Sequence, residues 1–218
     1  MNDLHLIIGN KNYSSWSMRP WLAMKGAGLS FRETLILLDE PDFAPRVLEH
    51  SPAGKVPILR HGNITVWESL AIIEYVAETF PEAGIWPASK KARAVARAVS
   101  SEMHAGFSAL RRTCPMNLRR PRKAVPMPDD ARADVKAIQE SWRRCRNEFG
   151  AEGPFLFGKF SGADAMYAPV VTRFDTYDIV VDDDTREYMN AVRGLPAFQA
   201  WEKAGLEERW RVPSDEVD

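Results

Sequence analysis

Apolar spacing along the chain changes character once. Residues 4–8 form a short apolar run of strand length, followed by the polar turn Gly9-Asn10-Lys11-Asn12. Over residues 17–28, Trp21, Leu22 and Met24 supply one helical face, and Gly26 and Gly28 mark its end. Residues 31–38 predict a second strand, with Thr34 and Ile36 among apolar neighbours. An acidic, proline-bearing turn over residues 39–45 leads to a short helix around Val47 and Leu48. Val56-Pro57-Ile58-Leu59 and Asn63-Ile64-Thr65-Val66 predict two strands joined at His61-Gly62, a hairpin signal. Residues 68–80 carry Leu70, Ile73, Val76 and Phe80 at helical spacing and stop at Pro81. The order β-α-β-α-β-β-α predicts a small α/β sandwich.

Residues 81–89 read as a linker, with Trp86 as a plug, and beyond them the strand pattern vanishes. Residues 90–112 predict one Ala-rich helix, and Pro115, Pro121, Pro126 and Pro128 break the pattern after it. Val135, Ile138, Trp142, Cys145 and Phe149 recur at spacings of three and four, the clearest helix in the chain. Ser161-Gly162-Ala163-Asp164 opens another helix in the capping-box manner, and Pro169 is expected to kink it. Weaker helices occupy residues 184–192 and 196–206. The expected organisation is an α/β domain over residues 1–84 and an all-α domain over 85–218.

Composition narrows the class. Lys and Arg total 29 against 30 Asp and Glu, so net charge is −1 and nothing global points to nucleic acid. Residues 90–123 are locally basic, but prolines interrupt them and no aromatic stacking pattern accompanies them; a solvated helix face explains them better than a nucleic-acid site. No apolar run approaches the ~20 residues needed to span a bilayer, and residues 6–8 are too short for a signal core. Cys114 and Cys145 cannot build a disulfide framework. His5, His50, His61 and His104 show no metal-ligand spacing. The expectation is a cytoplasmic protein with no bound metal.

Taken singly, the chemistry-bearing motifs have plain structural explanations. Val56-Pro57 suits a trans bond at an edge strand, Glu68-Ser69 a helix cap, and Ser14-Ser15-Trp16-Ser17 a polar turn. Their joint order is more telling. Residues 12–19, 51–59, 67–75 and 161–164 fall in one sequence, each at the end of an element, with the helical half of the chain after the third. That order resembles the glutathione transferase superfamily along essentially the whole chain. The resemblance implies a thioredoxin-like N-terminal domain plus an all-α C-terminal domain. The matching pieces would be the catalytic turn, the cis-proline loop, the γ-glutamyl site and the second-domain capping box.

The resemblance also implies roles. A cis Val56-Pro57 bond would offer the Val56 backbone to the cysteinyl residue of glutathione, as a strand adds to a sheet edge. Glu68 would pair with the γ-glutamyl ammonium, Ser69 and the helix N-terminus would hold its carboxylate, and Lys55 would reach the glycyl end. The Ser14-Ser15-x-Ser17-x-Arg19 pattern resembles the serine-type, zeta-like turn, in which the first serine donates to the thiolate; Ser15 is the alternative and Tyr13 the competitor. The zeta pattern has cysteine where this chain has Trp16. Lowering a thiol pKa from 8.5 by roughly two units takes about 2.7 kcal/mol. A hydroxyl donor contributes roughly 1.5–3 and a helix N-terminus about 0.3–1. Trp16, His104, Phe107 and Arg111 are the candidates for the electrophile cleft, with Met103 and Leu110 beside them. The implied activity is transfer of the glutathione thiolate to small electrophiles, in detoxification, by a homodimer. A non-catalytic glutathione-binding protein and a glutathione-dependent peroxidase or isomerase share these motifs.

Overall fold

The computed structural model describes residues 3–217. Four strands, β1 (Leu4–Ile8), β2 (Arg32–Leu35), β3 (Ile58–His61) and β4 (Ile64–Trp67), form one sheet in the order β2-β1-β3-β4. β2 runs parallel to β1, with Leu6 opposite Glu33; β3 runs antiparallel to β1, with Leu6 opposite Leu59. β3 and β4 make the expected hairpin, whose turn passes through Gly62 at φ 58°, a left-handed conformation that costs glycine little. Helices α1 (Ser15–Gly26), α2 (Phe43–Leu48) and α3 (Ser69–Thr79) intervene in the predicted order.

β1 is apolar on both faces because both are covered. Leu4, Leu6 and Ile8 enter the main core beneath α1 and α3, while Ile7 joins Ile36, Val47 and Ile58 under α2. Each such side chain contributes roughly 1.5–3 kcal/mol by leaving water.

From Lys90 onward the described chain is helical: α4 (Lys90–Ala105), α5 (Ser108–Thr113), α6 (Asp129–Phe149), α7 (Gly162–Thr176), α8 (Asp183–Arg193) and α9 (Pro196–Glu207). The single helix expected over 90–112 is two. Gly106 ends α4 by donating its N–H to the Glu102 carbonyl at 2.7 Å, and Phe107 then takes a left-handed φ of 55° before α5. Glycine is well suited to that stop, since a Cβ at 106 would sit 2.8 Å from the Glu102 oxygen.

α7 is the axle of the molecule. Every residue from Gly162 to Phe174 is buried, and the helix packs along α1, itself buried at nearly every position from Ser15 to Met24. Its start is the capping box: the Ser161 N–H and hydroxyl both donate to Asp164 Oδ2, at 2.8 and 2.9 Å, and the Leu156 N–H donates to Oδ1 at 3.1 Å. Trp86 does plug the linker, since a Cβ at Gly162 would lie 3.0 Å from its ring. Trp142 of α6 anchors the helical part against Tyr167, Phe174 and Tyr188.

Candidate active site

The turn between β1 and α1 is fixed from within and from the far end of the chain. The Asn10 carbonyl accepts the Tyr13 and Ser14 N–H groups at 3.2 and 2.7 Å, and the Asn10 side chain accepts the Leu38 N–H at 2.8 Å. The Lys11 and Asn12 amides donate to the Glu208 carboxylate at 2.7 and 3.0 Å, Asn12 pairs with Asn117 at 2.9 Å, and the Trp201 indole donates to the Lys11 carbonyl at 3.0 Å. None of these long-range ties is visible in a local sequence pattern.

That turn delivers Ser14 as the N-cap of α1, accepting the Ser17 N–H at 3.3 Å, and Ser15 as the first helical residue. The Ser14 and Ser17 hydroxyl oxygens are 2.7 Å apart, and Ser17 Oγ also accepts the Gly9 N–H at 3.0 Å. Tyr13 is otherwise engaged. Its hydroxyl donates to Glu216 at 2.5 Å and accepts from Arg119 at 2.9 Å; burial and the Glu216 contact push its pKa up.

Two adjoining cavities meet at Trp16, Lys55 and Val56. One, of about 390 Å³, is lined by Trp16, Lys55, Val56, Pro57, Trp67, Glu68 and His104. The Val56-Pro57 bond in its wall is cis. At the α3 N-terminus Ser69, unlike its neighbour Glu68, is fully buried and lines neither cavity; its hydroxyl has no hydrogen-bond partner among the described residues, and the φ of Glu68, 70°, is left-handed. The second cavity, of about 490 Å³, is lined by Tyr13, Ser14, Ser15, Trp16, Lys55, Val56, Arg111, Arg173 and Asp215, among others. Phe107 lines neither; it packs, half-buried, against the core at the α4–α5 break.

Trp16 is the hub between them. The Arg19 guanidinium lies 4.3 Å from its ring centre, Arg111 5.4 Å, and the His104 ring meets it edge-on at 5.2 Å. Burial, followed by the charge of Arg19, lowers the His104 pKa, so the 3.7 Å approach of its Nε2 to Glu68 joins a neutral ring to a carboxylate at neutral pH. Arg173 and Asp215 carry no sequence signal and were not among the expected site residues.

The basic stretch over 90–123 is largely paired within the chain at its exposed surface. Lys91 pairs with Glu148, Arg97 with Glu74, Arg112 with Asp130 and Arg122 with Asp178. Arg93 and Arg120 donate to backbone carbonyls. Cys114 and Cys145 are buried free thiols, pushed up to about 11 by desolvation. Among the described residues no group of His, Cys, Asp and Glu is arranged to hold a metal, and no helix is long and apolar enough to cross a membrane.

Two family models match in order. That for the Glutathione S-transferase N-terminal domain covers residues 13–79, and that for the C-terminal domain covers residues 128–204. The chain belongs to the glutathione transferase superfamily.

Within the glutathione transferases, similarity is spread thinly over several named activities. Maleylacetoacetate isomerase of Rattus norvegicus is 27% identical over 190 residues, covering 85% of each chain. Glutathione S-transferase 1 of Dianthus caryophyllus is 36% identical over 81 residues, 37% of this chain and 36% of that one. Across the carnation protein and two further relatives, from Caenorhabditis elegans and Arabidopsis thaliana, the match spans only 36% to 50% of the relative's length. A Burkholderia glutathione transferase homolog solved with bound glutathione superposes with a TM-score of 0.72 at 22% identity, covering 94% of this chain and all of that one. It shares the two-part fold.

Proposed function

We propose that the protein is a glutathione-dependent enzyme that adds the glutathione thiolate to small electrophiles. The observation that carries the reading is the pair of serine hydroxyls at the α1 N-terminus beside the junction of the two cavities. Glutathione suits the smaller cavity. The cis Val56-Pro57 bond would offer backbone groups to the cysteinyl residue, Glu68 a charge to its ammonium, and Lys55 a cation to its glycyl carboxylate. The unpartnered Ser69 hydroxyl would take the γ-glutamyl carboxylate at a helix N-terminus.

Ser14 would hold the sulfur anion. Ser17 is fully buried, and its oxygen already accepts the Gly9 N–H. If the Ser17 proton goes to Ser14 Oγ, the Ser14 proton is left for the cleft; either hydroxyl of such a pair can donate. The thiol proton leaves for solvent, the thiolate sulfur bonds to the electrophilic carbon, and the displaced electron pair departs with the leaving group or settles on the acceptor. Hydroxyl and helix end together supply roughly 2–4 kcal/mol, enough for a thiolate at neutral pH.

A glutathione-dependent isomerase is the second reading, favoured by similarity along 85% of the rat enzyme. Both readings take the site residues named above, a cytoplasmic location and a two-fold dimer as part of the proposal. Purified protein should conjugate glutathione to 1-chloro-2,4-dinitrobenzene. Calorimetry with glutathione at millimolar concentration is the deciding test: no heat of association would end both readings.

A further inference from the structure

The larger cavity carries three cations, Lys55, Arg111 and Arg173, against one anion, Asp215. Arg173 is only 4% exposed. Its Nε and Nη1 donate to the Cys114 and Pro169 carbonyls at 2.8 and 3.2 Å, which fixes the plane of the guanidinium and leaves Nη2 without a partner among the described residues. Arg111 makes one long contact, 3.4 Å, to the His104 carbonyl. Behind Trp16, Arg19 is fully buried, and among the described residues none of its three nitrogens has a hydrogen-bond partner. Among the described residues no carboxylate pairs with any of the three arginines.

Burying unpaired charge is expensive, and cations gathered this closely make it more so. Arg19 is lowered to about 9 and Arg173 to about 10, by burial first and then by neighbouring arginines. The nearby acids do not satisfy them. Asp134 is taken up by the Leu110 N–H at 2.9 Å. Asp215 arrives on the last segment of the chain, which Glu208, Arg119 and Glu216 tie to the β1–α1 turn. It supplies negative charge to the cavity wall from beyond pairing distance.

We propose that Arg111 and Arg173 form a subsite for a carboxylate on the electrophile, with Asp215 as a weak internal substitute for that carboxylate. The proposal deepens the conjugation reading and rests on it for the neighbouring thiol. With Lys55 committed to glutathione, the two arginines are the free cations of the cavity, and a planar carboxylate matches a guanidinium edge. An acceptor bearing a carboxylate is therefore favoured over its neutral isostere.

The test is equilibrium binding to the full chain saturated with S-methylglutathione, so turnover is not needed. Calorimetry with 3-nitrobenzoate and with neutral 3-nitrobenzamide should give at least tenfold tighter binding of the carboxylate. Arg111→Gln should abolish that preference, and Asp215→Asn should enlarge it severalfold. Arg111 is half-exposed, and near-ultraviolet circular dichroism checks that its variant is folded. Equal affinities in the wild type, a preference that survives Arg111→Gln, or one that Asp215→Asn leaves unchanged would each overturn the proposal. Absence of turnover with chlorodinitrobenzene would instead remove the conjugation reading and leave the binding result standing.

Discussion

The hydroxyl oxygens of Ser14 and Ser17 lie 2.7 Å apart, with the Gly9 amide donating to Ser17 from the other side. This short chain runs from the end of β1, through a fully buried hydroxyl, to the residue that caps α1. A Ser14→Ala variant should lose more than tenfold in kcat/KM and bind glutathione with a raised thiol pKa. Ser17→Ala removes the hydroxyl behind Ser14 and should shift the pH–rate profile the same way by a smaller amount. An unchanged profile in Ser14→Ala would transfer the role to Ser15.

Arg19 and Trp16 make a second, separable prediction. A guanidinium with no hydrogen bond in the interior is compensated mainly by the Trp16 ring 4.3 Å away. A desolvated cation–π contact is worth about 2 kcal/mol, less than the usual penalty for an unpaired buried charge. Arg19→Met keeps the bulk and removes the charge, so urea unfolding should show stability equal to or above the wild type. Trp16→Ala takes away the ring and leaves the charge, and should cost about 3–5 kcal/mol. A large loss in Arg19→Met would mean that the cation has a partner in solution.

Asp164 titrates against intuition. Burial raises its pKa to about 6, although it accepts three hydrogen bonds at the start of α7. A carboxyl that is harder to ionise when folded favours the folded state at low pH, and that contribution fades as pH rises through about 6. The roughly two-unit displacement is worth about 3 kcal/mol at most. The advantage of wild type over Asp164→Asn, measured by urea unfolding, should therefore narrow between pH 4 and pH 7. A widening gap would show that the hydrogen bonds outweigh burial.

Local chemistry made the first part of the fold legible. The strands, the His61-Gly62 hairpin and the Ser161/Asp164 cap each depend on residues a few positions apart. The same holds for the cavity lined by Lys55, Val56, Pro57 and Glu68, whose parts sit at element ends in a recognisable order. The features that escaped are long-range. Gly106 lay inside an alanine-rich helical pattern, and its effect appears only when the chain turns left-handed at Phe107, which carries Phe107 away from the cavities. Arg173 reads as one more polar residue on α7, and only packing against α1 brings it to the serines' cavity. Glu208 lies nearly two hundred positions from the turn it holds, and Asp215 reaches the cavity from the same end of the chain.

Glu208 is where that distance becomes testable. Its carboxylate accepts the Lys11 and Asn12 amides at 2.7 and 3.0 Å, and those residues lie just ahead of the serines. Leaving a partly buried N–H without an acceptor costs about 1–3 kcal/mol. Glu208→Ala orphans two, and should lower unfolding stability by about 2–6 kcal/mol. Because the turn sets where Ser14 begins α1, kcat should fall as well, with the same loss for neutral and carboxylate-bearing acceptors. Glu208→Gln keeps one acceptor oxygen and should recover part of both. If Glu208→Ala is destabilised yet turns over normally, the turn is held well enough by Asn10, Asn117 and Trp201, and the last segment matters to the cavity through Asp215 alone.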